Sequence, residues 1–343
     1  MRARSRTLHL STGELTSPLL IPSVSSKGFP VIDGVSEASR AAEFASPEIR
    51  EALLISAYDL HHHLLLQSER LLSDAHADTI YGSSELLVVD SGGYELIDEY
   101  ESGETRRGPR HVEPFGFTDY EGVITRLPQD RDVLAVNFDF PPDERGDFAQ
   151  QRARAQQFFA RYPHLKSDFL IKPEPGSRFI DVLRLVPEAS NLRPFDVIGV
   201  TDKELGQSLL SRLVTLARMR KTLDDSGVDA PIHVFGALDP LISPLYFMVG
   251  GEIFDGLSWI RYAYVDGVAV HQDAMTVLKR NIDDDSERRD ARRYLSNLDE
   301  LRKLKHQLEK WAYEPDRFDL LGPNQQSIRE IYDTVMARVE GRN

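Results

Sequence analysis

The sequence contains no cysteine among its 343 residues. This absence excludes disulfide bonds, thiolate nucleophiles, and zinc or iron–sulfur sites with thiolate ligands. No apolar run approaches the roughly 18 residues that a membrane span requires, so we expect no membrane partner. Basic residues are outnumbered by acidic ones, 41 to 55, which gives a formal net charge of −14. This balance argues against unspecific coating of nucleic acid but is compatible with a local basic patch.

The composition is that of a folded protein, with 41% hydrophobic and 28% charged residues. Residues 1–6 are basic, but no apolar segment follows them, so we predict no signal peptide and a cytoplasmic protein. Three consecutive histidines fall in a predicted amphipathic helix over residues 58–72. Because adjacent residues on a helix point in different directions, we predict no metal site there.

Eight short apolar segments recur along the chain, separated by helical or loop segments. They are residues 18–24, 52–58, 86–90, 133–139, 168–172, 196–200, 231–236 and 253–259. Helical patterns are clearest over residues 147–162, 202–224 and 240–249. Eight buried strands alternating with helices over about 240 residues predict an α/β fold, the (β/α)8 TIM barrel. A doubly wound open sheet usually has fewer strands, and no glycine-rich phosphate loop follows the first one.

The pattern changes after the eighth segment. Acidic residues 283–285 followed by a serine are typical of a helix N-terminus. Residues 287–311 form a charged helical pattern with leucines on one side, and a last helix is predicted from about residue 325 to 339. We therefore predict a barrel domain over residues 1–280 and a C-terminal helical extension, residues 281–343, packed on the barrel.

Three predicted strands carry an aspartate at or near their C-terminal ends, namely Asp90, Asp139 and Asp255. Closure of the barrel places the eighth strand beside the first, so all three can face one mouth. A single aspartate is as readily a helix cap as a working residue, whereas three on one rim favour chemistry. Two carboxylates beside a glycosidic bond suit a nucleophile and an acid/base, in a glycoside hydrolase or in a nucleoside-directed enzyme.

The third strand ends at Asp90 and is followed by Ser91, Gly92, Gly93 and Tyr94. The glycines permit a sharp turn and close approach of a flat ligand. Tyr94 offers an aromatic face on which a planar base could stack, although a core tyrosine is an equally good interpretation of the residue type alone.

Residues 90–95, Asp-Ser-Gly-Gly-Tyr-Glu, resemble the signature of the tRNA-guanine transglycosylases, whose last position is normally glutamine. Residues 235–255, from Phe-Gly-Ala to Gly-Gly-Glu-Ile-Phe-Asp, are similar to that family's segment around its nucleophilic aspartate. Asp139 falls where the family places a base-recognising aspartate. The similarity extends over roughly residues 19–267, with a further trace in the helix around residues 294–311.

The resemblance implies replacement of guanine by a 7-deazaguanine base in a polynucleotide, either DNA or tRNA, without a cofactor. It makes Asp255 the nucleophile on C1′ and Asp90 the general acid/base. Tyr94 would stack on the base, and Asp139 would hydrogen-bond its amidine edge. The substrate-binding positions carried over from the resemblance are Ser91, Gly92, Gly93, Tyr94, Asp139, Lys172 and Gly199. Such chemistry requires the target nucleotide out of its stack and water kept away from the ester.

The sequence also departs from the family pattern. The family's structural zinc is held by three cysteines and a histidine, and without those cysteines we predict no metal and a C-terminal helix held by packing alone. Lys172-Pro173 replace the usual Gln-Gly, Gly199-Val200 replace Gly-Gly, and Glu95 replaces glutamine. These changes leave base selectivity and the polynucleotide open. The motifs resemble the archaeal and DNA-directed branches more than the bacterial queuine type.

For phosphate contacts we predict Arg106, Arg107 and Arg110, in the loop after the third strand. The predicted C-terminal helix also carries cations, for which solvated ion pairs with neighbouring acids are the favoured interpretation. They are Arg288, Arg289, Arg292, Arg293, Lys303 and Lys305. An alternative function is a non-catalytic subunit that works with other proteins of a nucleic-acid modification system. The paired carboxylates argue against that alternative.

Overall fold

Eight parallel strands close into a barrel in the computed structural model, which describes residues 3–73, 75–96 and 112–341. The strands are β1 (Leu19–Val24), β2 (Ala52–Ser56), β3 (Leu86–Asp90), β4 (Val133–Val136), β5 (Lys166–Ile171), β6 (Val197–Thr201), β7 (Ile232–Phe235) and β8 (Ile253–Gly256). Strand β8 pairs with β1 in a register that sets Asp255 opposite Ile21, and this pair closes the barrel. The predicted (β/α)8 TIM barrel is confirmed.

Helices surround this barrel and continue beyond it. They are α1 (Glu37–Ala45), α2 (Ala57–His61), α3 (Ser68–Leu71), α4 (Gly93–Leu96), α5 (Phe117–Ile124), α6 (Phe148–Phe159), α7 (Val182–Leu185), α8 (Leu209–Asp225), α9 (Ser243–Met248), α10 (Ser258–Arg261), α11 (Gln272–Leu278), α12 (Ser286–Tyr313) and α13 (Gln325–Val339). Short 3₁₀ turns lie at Ser46–Glu48, His76–Asp78, Val186–Leu192, Asp202–Glu204 and Phe318–Asn324. The three clearest helical patterns correspond to α6, α8 and α9, and the last helix has the predicted bounds.

The strand predictions are confirmed in their centres and differ at their ends. Strand β2 stops two residues before the predicted boundary, and strands β4 and β8 each stop three residues before it. At β2 and β8 the apolar residues that follow the strand belong to helices α2 and α10, where they are also buried. A continuous apolar run cannot distinguish a buried strand from the buried first turn of the next helix.

The predicted helix over residues 58–72 is wrong. The structure divides it into α2 and α3, with left-handed backbone at His63 and Gln67 between them. The hydroxyl of Ser39 accepts a hydrogen bond of 2.7 Å from the backbone N–H of Leu66, which fixes the intervening turn. This contact with helix α1 has no signal in the local sequence.

The amino-terminal end of the barrel is covered by a hairpin of strands Thr7–His9 and Glu14–Thr16. Its Leu8 and Leu15 are buried among the apolar side chains that fill the barrel interior. Two further two-stranded elements pair Val31–Ile32 with Val35–Ser36 and Ala263–Val265 with Val268–Val270. Because apolar residues fill this end, the opposite end is the one available for a ligand.

Helix α12 lies against the barrel through its leucines and Trp311, which belong to the same hydrophobic core as the barrel helices. Packing is not its only attachment. The fully buried amide of Asn297 accepts a hydrogen bond from the Tyr264 backbone N–H at 2.7 Å and donates to the carbonyls of Trp259 and Tyr262, both at 2.8 Å. The expectation of packing alone is therefore corrected, because one polar side chain bonds the helix to the segment after β8.

Replacing Asn297 with alanine should lower the free energy of unfolding by about 2–4 kcal/mol, because three buried backbone groups lose their partner. Urea denaturation of the variant and the wild type measures this difference. The matched control is Asn191→Ala, at an exposed position, which should change the stability by less than about 0.5 kcal/mol. Equal effects of the two changes would show that the Asn297 contacts do not hold the helix.

Candidate active site

A cavity of about 320 Å³ opens at the carboxyl-terminal end of the strands. This volume is within the range of pockets that bind small ligands. Its polar lining includes Ser23, Ser25, Lys27, Ser56, Asp90, Glu95, Asp139, Lys172, Asp202, Asp255 and Arg261. Catalytic groups in barrels of this class lie at this end, on the loops that follow the strands.

Seven of the residues predicted from the sequence line this cavity, namely Asp90, Ser91, Gly93, Tyr94, Asp139, Lys172 and Asp255. The three aspartates thus meet around one space. Gly92 and Gly199 are not among the described residues that line it. Arg106, Arg107 and Arg110 lie outside the described residues, and their phosphate contacts stay a prediction.

Gly92 and Gly199 occupy places where a side chain would not fit. Gly92 has a φ of +86°, and a Cβ there would lie 2.9 Å from the Cβ of Tyr58. A Cβ on Gly199 would lie 2.6 Å from Asp168 Oδ1 and 2.7 Å from the ring of Phe235. Glycine is required at both positions because a side chain would collide with its neighbours. Direct contact of either residue with a substrate stays a prediction.

Asp255 is held by hydrogen bonds on both carboxylate oxygens. Its Oδ2 accepts from the Ser23 hydroxyl on the adjacent strand β1 at 2.8 Å. Its Oδ1 accepts from the Gly236 backbone N–H, just beyond β7, at 3.0 Å, and lies 3.3 Å from His233 Nε2. Only 6% of the residue is exposed, yet it borders the cavity. The carboxylate therefore has a fixed orientation with one edge accessible to a ligand.

Asp90 has a different electrostatic environment. Burial is the main cause that raises its pKa, followed by the negative charges of Glu95 and Asp255, and together they bring the pKa to about 7. A hydrogen bond from the Ser91 backbone acts in the opposite direction. A carboxyl group that gains and loses a proton near neutral pH is suited to general acid/base catalysis.

Glu95 was considered from the sequence only as a departure from the family motif. It is 1% exposed, and its two oxygens accept hydrogen bonds from the hydroxyls of Ser25 and Ser56. These serines belong to the first two strands and their loops, so Glu95 lies inside the mouth rather than on the surface. Its charge acts on Asp90, which gives this position an electrostatic effect that a glutamine would lack.

Asp139 and Lys172 form an ion pair at the cavity wall. Lys172 Nζ lies 3.0 Å from Asp139 and 2.8 Å from Glu204, while Arg145 Nη2 binds the second oxygen of Asp139 at 3.1 Å. Burial alone would lower the pKa of Lys172, but the charges of Asp139 and Glu204 raise it, so the side chain is an ammonium ion. Since each carboxylate oxygen has two lone pairs, Asp139 can still accept N–H groups of a base.

Tyr94 borders the cavity beside two cations. Lys27 Nζ lies 4.2 Å from the centre of its ring, and Arg261 Nη2 donates to its hydroxyl at 3.3 Å. Lys27 and Arg261 both line the cavity, and sequence reasoning selected neither of them. Cations beside an aromatic face suit a ligand that combines a planar ring with an anionic group.

His233 and Asp168 were also missed. Both are fully buried inside the barrel, and His233 Nδ1 lies 2.7 Å from Asp168 Oδ2. The only signal in the sequence is a polar residue within each apolar strand segment, and a polar residue in a buried strand is costly unless it has a partner.

The cations of helix α12 have carboxylate partners, as the favoured interpretation predicts, although Arg293 is buried rather than solvated. Examples are Arg292 with Asp284 at 2.8 Å, Arg293 with Asp290 at 3.0 Å, and Lys303 with Asp299 at 2.7 Å. Arg288, Arg289 and Lys305 also pair with acids. None of these six cations is among the described residues that line the cavity.

The described residues lack both a metal-binding cluster and a membrane-spanning helix. No group of three or more histidine, aspartate or glutamate side chains in these residues is placed to hold a metal ion. In the same parts of the chain, no helix combines the length and the apolar character needed to cross a bilayer.

Comparison with curated proteins finds tRNA-guanine(15) transglycosylases of three archaea. Identity is 24% over 257 residues for Haloferax volcanii, covering 72% of this chain and 44% of the relative. It is 22% over 279 residues for Saccharolobus solfataricus, covering 77% and 49%, and 24% over 192 residues for Pyrobaculum aerophilum, covering 53% and 36%. No family model matches the chain.

The chain spans less than half the length of each of these relatives. The similarity is low, but it agrees with the closed barrel and with the motifs around Asp90 and Asp255. Together these findings support a distant relationship of the chain to the tRNA-guanine transglycosylases.

Proposed function

We propose that the protein exchanges guanine in a polynucleotide for a 7-deazaguanine base through a covalent glycosyl ester on Asp255. The observation that carries this proposal is the pair Asp90 and Asp255 on one cavity, in unequal electrostatic environments. One carboxylate is fixed by hydrogen bonds, and the other titrates near neutral pH. Such a pair supplies a nucleophile and an acid/base for cleavage of a glycosidic bond.

In the first half of the reaction an oxygen of Asp255 forms a bond to C1′ of the target nucleotide. The bond from C1′ to the guanine nitrogen breaks, and its electron pair goes to the base, which takes the proton of Asp90. Asp90 is left as a carboxylate. Because the ester neutralises Asp255, one of the two neighbouring negative charges that raise the pKa of Asp90 is then removed. Tyr94 offers the face on which the departing guanine stacks, and Asp139 accepts from its amidine edge.

In the second half Asp90 takes a proton from the ring nitrogen of the incoming 7-deazaguanine. That nitrogen attacks C1′, and the bond to the Asp255 oxygen breaks with its electron pair returning to the carboxylate. One glycosidic bond replaces another, so the reaction needs no external energy source. Water must be excluded from the ester, since hydrolysis would otherwise compete.

A second cavity supports a polymeric substrate. Its volume is about 640 Å³, and it shares Gly93, Asp139 and Lys172 with the first. Its wall includes Phe117 and Phe140, whose rings stack with centres 5.7 Å apart, together with Arg145 and Arg178. Aromatic faces and arginines next to the reaction centre suit nucleotides that flank the target.

The test uses the wild-type protein with radiolabelled guanine and, separately, a 7-deazaguanine. Each base is incubated with tRNA, single-stranded DNA and duplex DNA, and the recovered polymers are digested and analysed by mass spectrometry. Incorporation into one polymer supports the proposal and identifies the polynucleotide. No incorporation into any polymer, with or without candidate partner proteins, contradicts it and favours a non-catalytic subunit. Release of sugar from simple glycosides would instead favour a glycoside hydrolase.

Replacing Glu95 by glutamine should shift the pH dependence of kcat/KM. Removal of its negative charge lowers the pKa of Asp90 from about 7, so the protonated acid is lost at a lower pH. We expect the alkaline limb of the profile to move down by about 0.5–1 pH unit. Glutamine retains hydrogen bonds with both serine hydroxyls, which limits the structural effect.

The control for this change is Glu188→Gln, which removes a carboxylate that pairs with Arg152 away from the cavity. Its pH profile should coincide with that of the wild type. An unmoved alkaline limb in the Glu95 variant would show that this carboxylate does not tune Asp90.

A further inference from the structure

Three side chains form a continuous row beneath the cavity. Asp168 on β5 lies 2.7 Å from His233 Nδ1 on β7, and His233 Nε2 lies 3.3 Å from Asp255 Oδ1 on β8. Asp168 and His233 are both fully buried. Placing ionisable groups in a barrel core costs stability relative to apolar side chains of similar volume, so their presence calls for a functional explanation.

A glycine on the intervening strand β6 leaves room for contact between Asp168 and His233. Strand β6 lies between β5 and β7, and its Gly199 pairs in register with His233. A Cβ at this position would lie 2.6 Å from Asp168 Oδ1 and 2.7 Å from Phe235, so any side chain would occupy the space that the contact crosses. The glycine therefore allows a carboxylate of β5 to reach an imidazole of β7.

The charges of Asp168 and Asp255 keep the His233 imidazole protonated, so both of its ring nitrogens carry a hydrogen. Burial alone would lower its pKa, but Asp168 first and Asp255 second raise it to about 9. The imidazolium can then donate a hydrogen bond from Nδ1 to Asp168, and its Nε2 lies within ion-pair distance of Asp255 without meeting hydrogen-bond geometry. Phe235 stacks on the imidazole with ring centres 3.8 Å apart, and Phe235, not His233, is among the cavity-lining residues. His233 can therefore affect a bound substrate only indirectly, through its contact with Asp255.

We propose that Asp168 and His233 are positioning residues that fix the orientation of the nucleophile Asp255 from the side of the barrel interior, opposite the cavity. Gly236 and His233 both approach Oδ1, which leaves Oδ2, bound by the Ser23 hydroxyl, as the oxygen that bonds to C1′. In the ester Oδ1 becomes the carbonyl oxygen and still faces the same two donors. They would also stabilise the carboxylate when it leaves in the second half-reaction. This inference rests on the proposed function for its effect on rate.

The first arm of the test does not require activity. Nitrogen NMR of the imidazole, assigned with His233→Gln, should show both ring nitrogens protonated at pH 7.5 in the wild type. Asp168→Asn should convert His233 to the neutral form at that pH, and Asp255→Asn should lower its pKa. A neutral His233 in the wild type, or one unaffected by both changes, would overturn the proposed row of charges.

The second arm measures base exchange. His233→Leu should lower kcat about 100-fold with KM within about threefold, because the nucleophile is misplaced while the binding surface remains. His233→Gln retains an N–H donor, so its kcat should be at least about tenfold higher than that of His233→Leu. His164→Leu, at an exposed position, is the matched control and should leave kcat unchanged.

The two arms separate the failure of this inference from the failure of the proposed function. A wild type that exchanges no base contradicts the function, and NMR still decides whether His233 is bound between Asp168 and Asp255. An active wild type with an equally active His233→Leu variant contradicts the positioning role alone. Thermal midpoints within a few degrees of the wild type show that the variants are folded, and Asp168→Asn replaces the leucine variant if that one is not.

Discussion

Replacing Asp255 by asparagine is expected to reduce kcat for base exchange by on the order of 10⁴-fold or more. Asparagine has nearly the same shape. Its carbonyl oxygen can accept from the Gly236 N–H while its NH2 group donates to the Ser23 hydroxyl, but the oxygen carries no charge with which to attack C1′. No covalent protein–polynucleotide adduct should form. Exchange of labelled guanine measures the rate, and denaturing gel electrophoresis with a labelled polynucleotide detects the ester.

The affinity for the polynucleotide should stay within about threefold of the wild type, because the removed group makes its decisive contact in the transition state. Asp333→Asn, a change of the same type on the exposed surface of helix α13, is the control for activity. Exchange by the Asp255 variant at the wild-type rate would exclude this residue as the nucleophile.

Replacing Asp90 by asparagine should have two effects of opposite sign. Base exchange should fall about 10³-fold, since the departing guanine no longer receives a proton. The free energy of unfolding at pH 8 should instead rise by roughly 2–4 kcal/mol. The neutral amide avoids the cost of an ionised carboxylate held in a buried site beside Glu95 and Asp255.

The pH dependence follows from the direction of the Asp90 pKa shift. The carboxyl pKa is raised to about 7 in the folded protein from an ordinary value of 3.8. The folded state therefore favours the protonated form, and this contribution is complete below about pH 4. It is lost progressively as the pH rises towards 7, where the folded carboxyl also ionises.

Urea unfolding of the wild type and of Asp90→Asn at pH 4.5 and pH 8 checks this expectation. The difference in stability between the two proteins should be small at the lower pH and large at the higher one. Other ionisable groups are common to both proteins and largely cancel in the comparison. An equal difference at the two pH values would mean that Asp90 is not the group with the raised pKa.

The barrel could be predicted because its strands carry their own signal. Each barrel strand is a short apolar run buried on both faces, and eight such runs separated by helical segments have few alternative arrangements. The helix over residues 58–72 failed for the opposite reason. Its apolar spacing is compatible with a helix, whereas a hydrogen bond from the Leu66 N–H to a distant serine on α1 imposes a turn.

The meeting of Asp90, Asp139 and Asp255 could also be predicted, since barrel closure alone brings strand ends together. The side chains that contact these aspartates could not be predicted from the sequence. His233 lies inside an apolar segment, and its pairing with Asp168 depends on the register across three neighbouring strands. Gly199 is predicted as a substrate contact from the family resemblance alone, whereas its closeness to Asp168 and Phe235 depends on tertiary packing that has no signal in the local sequence.

Helix α12 is connected to the Asp255 carboxylate through a series of hydrogen-bonded residues. Asn297 binds the carbonyl of Trp259, the Trp259 indole donates to the Ser23 carbonyl at 2.9 Å, and the Ser23 hydroxyl binds Asp255. Each step joins a different part of the chain, so the proposed nucleophile and the helix share one unbroken path of hydrogen-bonded residues. A gene fragment that encoded the barrel alone would lack the last support in that path. Truncation before helix α12 would therefore loosen the Asp255 carboxylate, although no described residue of this helix lines the cavity.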